Sequence, residues 1–113
     1  MDNYVCKHCG DTYFNKSNSK TTCNTCRNGL RRYGMTKLDM EKMWQDQNNE
    51  CYLCSKEVEM FTRGKTTSGY IDHCHKSGAV RSILCHICNT AVGFVEYHNI
   101  SIEKLSNYVE RRT

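Results

Sequence analysis

The chain has 113 residues, nine of them cysteine, with sixteen Lys/Arg against twelve Asp/Glu and a formal charge of +4. That length holds one domain or two very small modules. It contains no apolar run near the roughly 20 residues of a membrane span and no charged start with an apolar centre in residues 1–9. A reducing cytoplasm is therefore expected, where cysteines serve as metal ligands rather than as disulfides.

Eight of the cysteines form four Cys-x-x-Cys pairs, 6/9, 23/26, 51/54 and 85/88, with Cys74 left over. Four thiolates at such spacing make a closed tetrahedral site, so two structural zinc ions are expected. Modules this small bury little apolar surface, and metal binding supplies about 10 kcal/mol or more per site. Four thiolates on Zn²⁺ leave −2, so two such sites cancel the formal charge of +4. Its distribution says more than its total. Residues 1–37 carry seven Lys/Arg against Asp2 and Asp11, whereas residues 38–113 carry nine against ten acids. The basic amino-terminal part reads either as a phosphate footprint or as a solvated charged face.

In chain order, residues 1–33 read as a zinc ribbon built on Cys6, Cys9, Cys23 and Cys26. The polar stretch 15–22 is its loop or hairpin tip, and Tyr13 and Phe14 are the apolar residues available to pack on the metal. Arg27, Arg31, Arg32 and Lys37 are its candidate DNA contacts. Tyr33-Gly34 marks a boundary, and residues 34–113 form the second domain. Thr36 with Asp39 predicts a capping box, opening a helix to about Gln47 whose Met40, Met43 and Trp44 form a core-facing stripe. Asn48-Asn49 ends it and leads into the Cys51 knuckle.

Tyr70-Ile71 predicts a short strand running into Asp72, Lys76-Ser77-Gly78 a turn, and Ala79–Leu84 the returning strand. A helix is expected to start near Cys88-Asn89. A last helix carries Ile102, Leu105, Tyr108 and Val109, with Ser101 as cap; it either completes the core or pairs with another subunit. The expected class is a small zinc-stabilised α+β protein.

The chemistry is carried by residues the zinc does not need. Asp72, His73 and Asn89 are a carboxylate, an imidazole and an amide held near one knuckle pair. Phosphodiester hydrolysis needs a base for water, which a neutral imidazole provides near pH 7. It also needs a cation beside the leaving oxygen, and Mg²⁺ prefers hard oxygen ligands such as those of Asp72 and Asn89. Adjacent strand residues point to opposite faces, so Asp72 and His73 share one site only if the chain bends between them.

The run Asp72-His73-x-His75, Gly78-x-Val80-Arg81-x-x-Leu84-Cys85-x-x-Cys88-Asn89, with Cys51-x-x-Cys54 before it, resembles the phage recombination endonuclease VII family of HNH (His-Me finger) nucleases. The resemblance spans about Tyr33 to Phe94. It implies a ββα-metal core behind the ribbon, with Cys51, Cys54, Cys85 and Cys88 on zinc. It also implies Asp72 and Asn89 on a catalytic Mg²⁺ (or Mn²⁺), His73 as general base, and His75 on the phosphate or leaving group. Arg81 is implied either as a backbone-phosphate contact or as a packing or ion-pair residue. Cys74 stands where family members often carry an acidic residue, and reads as a bystander thiol.

The expected activity is metal-dependent DNA endonuclease of nicking or homing type in a phage-infected bacterial cell. A four-way-junction resolvase is the alternative, and a non-catalytic zinc DNA-binding module the alternative of another class. The substrate is duplex or branched DNA, and the enzyme a monomer or homodimer. A RING-like cross-brace would need interleaved ligands that the order of the pairs does not supply.

Overall fold

A computed structural model describes residues 3–14, 21–62 and 64–111. Strands β1 (Asn3–Val5) and β2 (Thr12–Phe14) form an antiparallel hairpin, followed by helices α1 (Asn24–Tyr33) and α2 (Lys37–Asp46). Strands β3 (Gly69–His73) and β4 (Val80–Cys85) form a second antiparallel pair, followed by helices α3 (His86–Tyr97) and α4 (Ile102–Val109). The result is a small α+β protein with two separate hairpins.

The amino-terminal module differs from the expected ribbon. Its second knuckle opens a helix: Cys23 is the N-cap of α1, its sulfur accepting from the Cys26 N–H. Cys85 caps α3 in the same way through the Cys88 N–H, so that helix begins at His86, two or three residues earlier than expected. Thiolate sulfur at a helix N-terminus meets unpaired N–H groups and the positive end of the helix dipole. The first knuckles also match. Gly10 and Ser55 follow Cys9 and Cys54 with φ of 78° and 63°, and each returns its N–H to the first cysteine's carbonyl (2.8 and 3.0 Å). A left-handed residue costs a serine more than a glycine, so only Gly10 advertises the turn. Tyr13 packs on this first cluster, but Phe14 is 56% exposed and does not. Most of the expected loop tip, residues 15–20, lies outside the described residues.

The helix after Gly34 forms as expected. Thr36 and Asp39 make a reciprocal capping box, and Gly34, at φ 67°, ends α1. Met43 and Trp44 pack against a small core of Val58, Ile83, Leu84 and the cysteines Cys51 and Cys85. Asn48 and Asn49, with φ of 55° and 60°, turn the chain out of α2. The side-chain amide of Gln47 accepts from the Ile83 N–H (2.9 Å) and donates to the Ile83 carbonyl (3.0 Å), tying the end of α2 to β4. The apolar residues of α4, Ile102, Leu105, Tyr108 and Val109, are all exposed, so this helix does not complete the core.

The first module is fixed to α2 by close contact. Gly29 of α1 is buried, and a Cβ there would meet Met40 Cε and the Met35 carbonyl oxygen. Lys37 adds an ion pair to Asp11 (2.6 Å), and its backbone N–H donates to Cys26 Sγ (3.3 Å). Gly29→Ala should therefore destabilise the protein by about 1–3 kcal/mol despite the helix-propensity gain of alanine. Thermal unfolding checks this; a stabilised variant would contradict the packing.

Candidate active site

In each four-cysteine group the sulfurs all lie within 4.8 Å of one another. Cys9 and Cys23 sulfurs are 3.8 Å apart, and those of Cys54 and Cys85 are 3.7 Å apart. Tetrahedral zinc–sulfur bonds of about 2.3 Å place ligand sulfurs about 3.8 Å from each other, so both donor sets fit zinc. Each group is made from two consecutive pairs, which excludes the cross-braced arrangement.

Burial opposes ionisation at Cys6 and Cys51, but backbone N–H groups, led by those of Cys23 and Cys54 respectively, bring both thiols down to about 6. Burial pushes Cys9 up to about 11 and Cys88 up to about 12, with neighbouring sulfurs adding to the rise, and pushes Cys26 upward too. Crowded thiolates repel, so without a cation only some ionise; a divalent metal reverses that balance. Native mass spectrometry should find two zinc ions per chain. Cys51→Ser should leave one, with loss of cooperative unfolding in the 34–113 part. A chain that carries no zinc, or a Cys51 variant that keeps both ions, would contradict the assignment.

The second cluster holds β4 and α3 beside a cleft of about 360 Å³ lined by Tyr33, Asp72, His73, His75, Asn89, Gly93 and Glu96, among others. Asp72 and His73 both face it although they are neighbours on β3. The reason lies in the pairing: Asp72 opposes Ser82, and His73 opposes Val80, so Arg81 has no partner and the register shifts between Asp72 and His73. Such a bulge bends the strand and re-aims the side chains on either side. The bend required between Asp72 and His73 is therefore present.

The unpaired Arg81 defines the electrostatics. Its Nε donates to Asp72 Oδ2 (2.6 Å) and its Nη2 to Asp72 Oδ1 (3.1 Å), a two-point grip on a carboxylate that is 7% exposed as a residue. Its Nη2 also donates to Glu96 Oε1 (2.9 Å). Asp72 first and Glu96 second hold the guanidinium firmly charged, and Arg81 holds the Glu96 carboxyl below its usual range. Of the two roles expected for Arg81, ion pairing is the one observed.

The His73 ring lies beside those of His75 (centroids 4.9 Å apart) and Tyr33 (5.8 Å), each tilted relative to it. His75 is exposed, with Nδ1 3.9 Å from Glu96 Oε1. Asn89 sits in the first turn of α3, one residue beyond Cys88. Among oxygen donors at the cleft, Asp72 and Asn89 form a hard set suited to Mg²⁺. Cys74 belongs to neither four-cysteine group; a Ser77 hydroxyl hydrogen bond lowers its thiol pKa.

Of the expected DNA contacts, Arg27, Arg31 and Arg32 are exposed on α1. Lys37 is not free for such a contact: besides Asp11 it lies 5.0 Å from the Phe61 ring centroid. Two cleft residues, Glu96 and Tyr33, escaped the sequence reading. Glu96 follows Asn89 by seven residues with Gly93 between, a helical spacing that signals one shared face. Tyr33 reaches the cleft only because α1 packs beside it, and no local pattern encodes that.

A family model described as "Recombination endonuclease VII" matches residues 26–111. The chain is also 32% identical over 83 residues to the "Gene 59 protein" of Mycobacterium phage L5, covering 69% of this chain and 48% of that protein. It is 35% identical over 60 residues to the "Gene 59 protein" of Mycobacterium phage D29, covering 53% of this chain and 33% of that protein. The chain thus spans half or less of the curated relatives it matches. Among the described residues, no helix is long and apolar enough to cross a membrane.

Proposed function

The chain belongs to the recombination endonuclease VII family, and on that footing we propose that it is a metal-dependent DNA endonuclease whose catalytic site is the cleft at the end of the second hairpin. The single observation that carries this reading is the bulge opposite Asp72 and His73, which brings an oxygen ligand and an imidazole to one cleft with Asn89. A non-catalytic zinc module has no use for that convergence.

In this reading His73 takes the proton from the attacking water as a neutral imidazole, its ring beside those of Tyr33 and His75. Asp72 and Asn89 would hold a divalent cation. The bound cation supplies charge stabilisation at the leaving oxygen. His75, exposed at the cleft mouth, contacts the phosphate or the leaving group. Arg81 grips the nearly buried Asp72 carboxylate at both oxygens and so fixes its orientation in the cleft. Glu96 braces Arg81 from α3. The substrate is DNA, cut by nicking, with a four-way junction as the second form to test in view of the family's description.

Supercoiled plasmid and a four-way junction, each with Mg²⁺ or Mn²⁺, provide the test. The wild type should convert plasmid to open circle or cut the junction. His73→Ala and Asn89→Ala should each lose about 10²-fold or more in rate while keeping zinc content and DNA binding. Intact DNA binding without cleavage of either substrate would replace this reading with a zinc DNA-binding module.

A further inference from the structure

We propose that a second groove, running from the cleft along α1, carries the DNA strand flanking the scissile phosphate. This rests on the nuclease reading above and adds to it a track for the substrate strand. The groove, about 300 Å³, shares Tyr33, Tyr70 and Ile71 with the catalytic cleft, so the two adjoin at these residues. Beyond Tyr33 one wall is the α1 face bearing Arg32, Asn28 and Thr25, and the rest is mainly apolar, with Met40, Met60 and Phe61.

Charge and chemistry single out this track for nucleic acid. Among the described residues no carboxylate lines it, and α1 contains no acidic residue but three arginines. The groove beside α2, by contrast, sets Asp39 and Asp46 against Lys42 and Arg81 and so has no excess of positive charge. Arg32 and Asn28 offer donors suited to phosphate oxygens. Tyr33 and Tyr70, half-buried where cleft and groove meet, offer faces on which bases of any sequence stack. Arg27 and Arg31 do not line the groove; Arg31 instead donates to Asn28 Oδ1 (3.4 Å). Arg32 is thus separated from the other two as the arginine that meets the cut strand. At about 1.5 Å rise per residue, Thr25 to Tyr33 spans about 12 Å, the length of about three or four nucleotides along a duplex axis.

The amino-terminal zinc module is then part of the active site, not a separate anchor. Its helix delivers Tyr33 to the base His73 and guides the flank leading away from it.

The test uses duplexes with one common cleavage site and one flank trimmed stepwise, each side in turn. For the wild type, trimming one particular flank below about four nucleotides should raise KM roughly tenfold. The double variant Asn28→Ala/Arg32→Ala, with zinc content checked, should show the raised KM on long substrate and lose its dependence on that flank. Tyr33→Phe should keep the dependence, and Tyr33→Ala should lose it. A double variant as flank-sensitive as the wild type would overturn the proposal, as would a wild type indifferent to trimming on both sides. For a wild type that cuts only a four-way junction, the same trimming is applied to the junction's arms; one that cleaves neither substrate overturns the nuclease reading itself, and the strand track with it.

Discussion

Cys85 is the residue on which the second hairpin and its helix both depend. It ends β4, caps α3 with its sulfur and belongs to the second four-cysteine group. A single cluster therefore fixes the angle at which β4 passes into α3, and Asn89 follows within one helical turn. The other half of the cluster is tied down as well: the Tyr52 N–H donates to the Ile83 carbonyl (3.1 Å), seating the Cys51 knuckle on β4. This region has few fully buried apolar side chains, and a zinc ion on the four sulfurs would supply the stability that packing supplies in a larger domain.

The bulge at Arg81 solves two problems at once. It turns Asp72 and His73 toward one cleft, and it leaves an arginine free of strand pairing to neutralise the buried acid. An unpaired carboxylate at that depth would cost several kcal/mol. One Arg81 guanidinium faces two carboxylates, Asp72 and Glu96, a formal charge of −1 for the group, so the cleft retains attraction for a cation.

Much of this was legible in the sequence for identifiable reasons. The capping box at Thr36, the apolar stripe through Met43 and Trp44, and the two hairpin strands follow short-range rules that the fold does not override. The cysteine spacing gave both clusters because metal geometry leaves few alternatives. What failed was whatever depends on context. A knuckle that opens a helix and one that opens a hairpin share the Cys-x-x-Cys pattern, so the ribbon was expected where α1 forms. Lys37 looked like a free surface cation because its partner, Asp11, lies 26 residues away. The chemistry asks for a bend after Asp72, but nothing in the residues says that a bulge supplies it or that Arg81 is the one that loops out. Glu96 was available from helical spacing and was missed; Tyr33, which depends on α1 packing beside the cleft, was not available.

In the proposed nuclease, the hairpin and helix held by the second cysteine cluster bring Asp72 and Asn89 to a single catalytic cation. Electron paramagnetic resonance of Mn²⁺ titrated into zinc-loaded His73→Ala protein on duplex DNA, where cutting is suppressed, tests this most directly. One bound Mn²⁺ per chain is expected, lost or strongly weakened when Asp72→Asn or Asn89→Ala is added with both zinc ions retained. Mn²⁺ binding that is unchanged in both variants would contradict the account.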